Sequence, residues 1–99
     1  MEATRPNRVL VVDDHPAIRE TMNDILNEEG FDTQIAADGK EALDLCLSKD
    51  FDFVLIDIQM PEMNGVEVLK QLKEQNVKCP KFIFFSAYFY PHFFTIFAV

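Results

Sequence analysis

Three aspartates stand where two strongly apolar segments end, and their positions suit chemistry on an anion. Asp13 and Asp14 follow the apolar run at residues 9–12, and Asp57 follows the run at residues 53–56. Carboxylate oxygens are the ligands that Mg²⁺ prefers, and a carboxylate can also attack phosphorus. Three like charges that lie close together repel one another unless a cation lies among them. The pattern therefore predicts a divalent-metal site in which Asp57 is a candidate nucleophile.

The segments that must position these acids alternate between strand and helix patterns. Continuously apolar runs predict strands, and Asp38 and Asn64 each precede a glutamate by three residues, which is typical of a helix N-terminus. The predicted order is a strand at 8–12, a helix from Pro16 to Gly30, a strand at 33–37, a helix after Asp38, a strand at 53–56, a helix after Asn64 and a strand at 81–86. This order favours an α/β fold with a parallel sheet and helices on both faces, in which ligands bind at the carboxyl ends of strands.

The composition limits the classes of protein to consider. The chain has 99 residues, of which 48% are hydrophobic and 26% charged, so one folded domain is expected. The net charge of −8 argues against nucleic acid or an anionic membrane as a partner. Cys46 and Cys79 do not form a disulfide framework, and residues 1–8 carry no apolar export signal. We therefore expect a cytoplasmic protein with reduced thiols, in which Cys46 serves packing.

Three motifs together resemble a known family. They are VLVVDDHP at 9–16, VLIDIQMPEMNG at 54–65 and FIFFSA at 82–87. The chain is similar through them to the CheY-like receiver domains of two-component response regulators. The resemblance implies a doubly wound, flavodoxin-like parallel sheet with strand order 2-1-3-4. It also implies a phosphorelay function, with a sensor histidine kinase or a histidine phosphotransfer protein as the phosphohistidine donor.

The resemblance assigns a role to each matching residue. Asp57 would be the phosphoacceptor, and Ser86 with the small Ala87 would contact the phosphoryl group. Mg²⁺ or Mn²⁺ would be held by three side chains and one backbone carbonyl, from Asp13, Asp14, Asp57 and Gln59. Such a domain is not an enzyme beyond self-phosphorylation and self-dephosphorylation. His15 beside the acids is expected to be a surface residue, since Mg²⁺ prefers oxygen ligands, and His92 is expected to be structural.

The resemblance stops after Ala87. The family's fifth strand and fifth helix have no counterpart here, and no lysine follows Lys81 that could meet a phosphoryl group. We therefore divide the chain into a receiver core at 1–87 and an atypical apolar tail at 88–99, as a truncated or divergent receiver would have. One edge of the fourth strand, and the surface that the fifth helix normally covers, are expected to be open.

The tail allows several interpretations. Residues 82–99 contain seven of the ten phenylalanines and no formal charge. The segment could fold back or exchange with a second copy, giving a homo-oligomer through 82–99. It could be an accidental terminus, whereas Pro91 and His92 oppose a membrane contact. Residues 93–99 could form a strand antiparallel to the fourth strand or a short helix.

Two other functions compete with the phosphoacceptor. The chain could be a receiver-like interaction or oligomerisation module with impaired switching, since the family lysine and last elements are missing. An aspartyl phosphatase or mutase is less well supported, because such enzymes commonly carry an acid two residues after the nucleophile, where this chain has Gln59.

Overall fold

The computed structural model describes residues 5–58, 60, 63–76, 78–86 and 95–98, and for Ser86 and residues 95–98 it describes the backbone alone. Strands and helices alternate along the chain as the sequence predicts. In chain order they are β1 (Arg8–Val12), α1 (Pro16–Glu28), β2 (Asp32–Ala36), α2 (Gly39–Ser48), β3 (Phe53–Asp57), α3 (Gly65–Glu74), β4 (Lys81–Ser86) and β5 (Thr95–Ala98). None of the helices in these ranges is long and apolar enough to cross a membrane.

The strands form one sheet in the order β2-β1-β3-β4-β5. The first four are parallel, so the predicted order 2-1-3-4 is confirmed. β1 pairs directly with β3, with Val12 opposite Ile56. That pairing places the ends of β1 and β3 side by side, and it is the feature of the fold that matters most for the site.

The two predicted capping residues begin their helices. The Asp38 side chain accepts a hydrogen bond of 2.8 Å from the amide of Glu41, and Asn64 accepts one of 3.0 Å from Glu67. Each satisfies an amide that would otherwise lack an intrahelical partner. The N-terminus of α1 differs, because its capping residue is His15, whose side chain makes no capping hydrogen bond. The imidazole is instead available for contacts outside the helix.

The two faces of the sheet are covered to different extents. On the face that carries α2 and α3, the strands contribute fully or nearly fully buried side chains from Leu10, Val12, Val54, Ile56, Phe82 and Phe84. On the face that carries α1, the strand residues Phe53, Leu55 and Ile83 are only half-buried. An apolar cavity of about 310 Å³ lies there against α1. The expectation of an open apolar surface therefore agrees with the described residues.

The expectation that β4 has an open edge is wrong. Residues Ile83 to Ser86 of β4 pair with β5 in antiparallel register, with Ile83 opposite Ala98 and Ser86 opposite Thr95. Of the two interpretations of residues 93–99, the antiparallel strand is the one that the structure shows for Thr95–Ala98. The physical reason is that an unpaired strand edge leaves backbone amides and carbonyls without partners, and a returning segment satisfies them. The family's parallel fifth strand and fifth helix are absent from the described ranges.

Candidate functional site

The predicted acids meet at the carboxyl end of the sheet. Asp57 is the last residue of β3, and Asp13 and Asp14 follow β1 directly. One ligand atom from each of these aspartates and from His15 lies within 4.8 Å of the others. Asp13 is fully buried and Asp57 is 2% exposed. The structure thus brings together the three carboxylates that the sequence singled out, while their individual roles remain predictions.

The backbone and one side-chain oxygen of Asp13 are held by three residues, Ala36, Arg19 and His15. Its amide donates to the carbonyl of Ala36 at 3.2 Å, and its own carbonyl accepts from the Arg19 guanidinium at 2.8 Å. Its Oδ1 accepts a 2.8 Å hydrogen bond from the amide of His15. Its Oδ2 is buried and has no hydrogen-bond partner among the described residues. A fixed carboxylate with one unused buried oxygen is suited to bind a cation.

The His15 imidazole lies against both neighbouring acids. Its Nδ1 is 3.2 Å from Asp13 Oδ1 and 3.1 Å from Asp14 Oδ1. The contact with Asp14 is electrostatic rather than a hydrogen bond, because Asp14 Oδ1 has no hydrogen-bond partner in the described part of the chain. His15 is 51% exposed, as a surface side chain should be. The sequence did not predict that it also joins the acidic cluster.

Burial and charge shift the ionisation of both Asp13 and His15. Loss of hydration on burial raises the pKa of the Asp13 carboxyl; the hydrogen bonds from His15 offset part of this, and the charge of Asp14 adds to it. The hydrogen bond to Asp13 and the charge of Asp14 raise the pKa of His15. The causes differ: loss of hydration dominates for Asp13, and the contacts with the two acids dominate for His15. A cation bound among the acids would favour the ionised form of Asp13.

Several predicted site residues cannot be placed. Gln59, Ala87 and His92 lie outside the described residues. Ser86 ends β4 beside the site, but its side chain is likewise outside the description. The roles predicted for these residues stay predictions.

Two contributors to the site were missed by the sequence reasoning. Arg19 holds the Asp13 carbonyl from α1, and its position one helical turn after His15 is the only sequence signal that could have suggested it. Gly39, the first residue of α2, leaves no room for a Cβ atom against the backbone carbonyl of Met63. Met63 belongs to the loop after Asp57, so this close approach fixes α2 against the loop that borders the site. Contacts of this kind depend on the tertiary fold.

A parallel sheet in the order 2-1-3-4, with three carboxylates at the carboxyl ends of its two central strands, defines the class of CheY-like receiver folds. The family model for the response regulator receiver domain matches residues 9–92. The chain therefore belongs to the response regulator receiver family of two-component systems, for which phosphotransfer from a kinase is the general function.

Relatives in the curated proteins agree with this assignment. The chain is 43% identical over 75 residues to the response regulator MprA of Mycolicibacterium vanbaalenii, covering 76% of this chain and 32% of that protein. It is 40% identical over 73 residues to sporulation initiation phosphotransferase F of Bacillus subtilis, covering 72% and 59%. The chain thus spans about a third of the length of one relative and less than two thirds of the other.

Solved structures share the fold. The response regulator TrrA of Thermotoga maritima, in complex with Mg²⁺-BeF, is 40% identical with a TM-score of 0.74, covering 87% of this chain and 74% of that one. A CheY-like receiver domain protein from Methanospirillum hungatei is 34% identical with a TM-score of 0.75, covering 84% and 66%. These values extend the likeness beyond the three motifs to most of the chain.

Proposed function

We propose that this chain accepts a phosphoryl group on Asp57 from a phosphohistidine donor, with Mg²⁺ or Mn²⁺ as cofactor. The single observation that carries the proposal is the buried Asp57 carboxylate beside two further aspartates at the end of the sheet. The donor would be a sensor histidine kinase or a histidine phosphotransfer protein, the partners with which receiver domains interact.

The acidic cluster fits a hard divalent cation. All three aspartates offer oxygen atoms, and the unused buried Oδ2 of Asp13 is an acceptor that needs a positive partner. Asp13, Asp14 and Asp57 would hold the ion, together with the backbone carbonyl predicted at Gln59. When bound, the ion would offset negative charge on the carboxylates and on an incoming phosphoryl group. The complex of TrrA with Mg²⁺-BeF supports this assignment by similarity.

The reaction exchanges one bond to phosphorus for another. A carboxylate oxygen of Asp57 attacks phosphorus, the P–N bond of the donor phosphohistidine breaks, and the leaving imidazole nitrogen takes one proton from solvent. The rigid position of Asp57 at the end of β3 orients the nucleophile, and its burial keeps bulk water from the carboxylate. Ser86 would contact the phosphoryl oxygens from the end of β4. The chain would otherwise have no enzymatic activity beyond adding and losing this group.

The experiment is phosphorylation of the purified full chain by a small phosphodonor such as acetyl phosphate. Mass spectrometry should show one added phosphoryl group in the presence of Mg²⁺, and none with a chelator or in Asp57→Asn. Asp24→Asn removes an exposed acid from α1 and is the matched control, which should be phosphorylated like the wild type. A wild-type chain that stays unmodified with every donor and with both metals would refute the proposal.

A cytoplasmic location is part of the same proposal. Cys46 and Cys79 are both free, with Cys46 buried and Cys79 exposed. Free thiols are usual where the surroundings are reducing, as in the cytoplasm. A fusion of the full chain to a fluorescent protein should therefore show diffuse cytoplasmic signal in cell fractionation and microscopy.

One observation favours the second function, a receiver-like interaction module. The cavity against α1 is lined by Asn7 and by six apolar residues, namely Val9, Leu26, Phe31, Phe53, Leu55 and Ile83. An open apolar surface is typical of a protein contact. Sedimentation of the full chain should then show association that Leu26→Lys weakens. The control Leu47→Lys, the same change at an exposed position of α2 away from this cavity, should leave the association unchanged. A monomer at all concentrations would refute self-association.

A further inference from the structure

His15 places an imidazole nitrogen beside the three carboxylates, and a nitrogen ligand changes which metal ions a site binds best. We infer that the imidazole Nδ1 of His15 is a further metal ligand, which makes this site select first-row transition dications such as Ni²⁺, Zn²⁺ or Co²⁺ over Mg²⁺ more strongly than its carboxylates alone would. This inference rests on the metal site of the proposed function. It concerns which cation the site selects and not whether Asp57 is phosphorylated.

The distances in the cluster suit a shared ion. Nδ1 lies 3.2 Å from Asp13 Oδ1 and 3.1 Å from Asp14 Oδ1. Ligands at about 2.1 Å from a metal are separated by roughly 3.0 Å in octahedral and roughly 3.4 Å in tetrahedral geometry. The two measured separations fall between these values. The nitrogen therefore lies at a ligand-to-ligand distance from both carboxylate oxygens. In the structure Nδ1 donates a hydrogen bond to Asp13, and metal binding would displace that proton.

Two further observations support a metal ion at this cluster. Asp13 is fully buried, and its Oδ2 has no hydrogen-bond partner among the described residues, so the site holds an oxygen that lacks a positive neighbour. His15 is the N-terminal capping residue of α1, but its side chain does not cap the helix. The imidazole is thus turned toward the acids instead of toward the helix amides, with half of its surface still open to solvent.

The nitrogen ligand changes the selectivity of the site. Mg²⁺ strongly prefers oxygen and gains little from an imidazole, whereas Zn²⁺, Ni²⁺ and Co²⁺ bind imidazole well. An oxygen-only cluster would follow the general affinity order of divalent ions, and an added nitrogen widens the gap between the transition ions and Mg²⁺. Selectivity, expressed as the ratio of two affinities in one protein, is therefore the quantity to measure.

The test compares Ni²⁺ and Mg²⁺ binding to the full chain by titration calorimetry. The variants are His15→Asn, which keeps a good N-cap residue, and His15→Gln, with His92→Gln as the control for the only other histidine. All are made in a Cys79→Ser background, because an exposed thiol could also bind Ni²⁺. Loss of a ligand's supporting partner alone typically weakens metal binding about 10- to 100-fold, so Ni²⁺ affinity should fall at least about tenfold while Mg²⁺ affinity changes by less than about threefold.

Each alternative outcome has a definite meaning. Equal losses for both ions would overturn the inference, since His15 would then support the shape of the site and not bind the metal. A gain in affinity for both ions would overturn it as well, because His15 would be a cation that competes with the metal. Unchanged affinities for both ions would show that His15 does not contact the bound metal ion, and would overturn the inference too. Phosphorylation of Asp57 is measured separately with Mg²⁺, so a failure of the proposed function does not affect the reading of the affinity ratio.

Discussion

Replacing Asp13 by asparagine should stabilise the metal-free protein and remove its response to Mg²⁺. The two side chains have nearly the same shape, so the substitution changes charge and leaves packing in place. Asp13 is fully buried, and it shares the cluster with Asp14 and with the buried Asp57. Its negative charge is therefore unfavourable for folding as long as no cation is bound.

The size of the effect can be worked out from the geometry. Two unit charges separated by the 4.8 Å that bounds the cluster repel by about 3.5 kcal/mol at an effective dielectric constant of about 20. The amide also weakens the hydrogen bond from the His15 amide and the attraction to its ring, which offsets about 1–2 kcal/mol. We expect Asp13→Asn to raise the free energy of unfolding by about 1.5–2.5 kcal/mol in a chelator.

Mg²⁺ should reverse this order. A ligand at a concentration one hundred times its dissociation constant stabilises the folded state by about 2.7 kcal/mol. The wild type should gain this amount, and Asp13→Asn should gain almost none, because it has lost a charged oxygen ligand. The wild type is then the more stable protein at saturating Mg²⁺. A reversal of the stability order between chelator and Mg²⁺ would show that the negative charge of Asp13 is needed for metal binding.

The assay is urea unfolding at neutral pH, with a chelator and with saturating Mg²⁺. Asp24→Asn removes one exposed negative charge from α1 and should change the stability by less than about 0.5 kcal/mol under both conditions. A destabilised Asp13→Asn in the chelator would refute the reasoning, since the like-charge repulsion would then be smaller than the lost hydrogen bonds.

The pH dependence in the chelator gives a second check. The pKa of Asp13 is raised above its usual value of 3.8 by burial. Proton uptake by the folded state is therefore favoured, and its contribution to stability is present below the unfolded pKa and is lost as the pH rises through the folded pKa. The advantage of Asp13→Asn should accordingly shrink as the pH falls from neutrality toward 4. If the stability advantage of Asp13→Asn stayed constant over this pH range, the raised pKa of Asp13 would be contradicted.

Two further predictions concern the surroundings of the site. Asp52 accepts a 2.7 Å hydrogen bond from the amide of Arg8, which is the main cause that lowers its pKa below 3.8. The contribution of the Asp52 carboxylate to stability is thus present above its unfolded pKa and is lost as the pH falls through its folded pKa. The free energies of unfolding of wild type and Asp52→Asn should therefore become equal at acidic pH. A difference that stays constant down to acidic pH would contradict this prediction. Gly39→Ala should lower the free energy of unfolding by about 1–3 kcal/mol, because the new methyl group meets the Met63 carbonyl; an unchanged stability in urea would show that the loop yields freely.

Local patterns in the sequence were sufficient to predict most of the secondary structure. The runs at residues 9–12 and 53–56 are continuously apolar, as is typical of central parallel strands with helices on both faces. Asp38 and Asn64 begin helices because their side chains replace missing partners of helix amides. These are interactions between near neighbours in the chain. The three acids were found for the same reason, since each stands directly at the end of a strand.

The tertiary structure alone decided which groups meet. The pairing of Val12 with Ile56 sets the distance between Asp13 and Asp57, which are far apart in the chain. The turn of the His15 ring toward both acids depends on the entry into α1. The sequence predicts an unpaired edge for β4, and the structure shows that β5 pairs with it in antiparallel direction. Such contacts arise from strand register and packing between distant segments, and short-range sequence patterns carry no information about them.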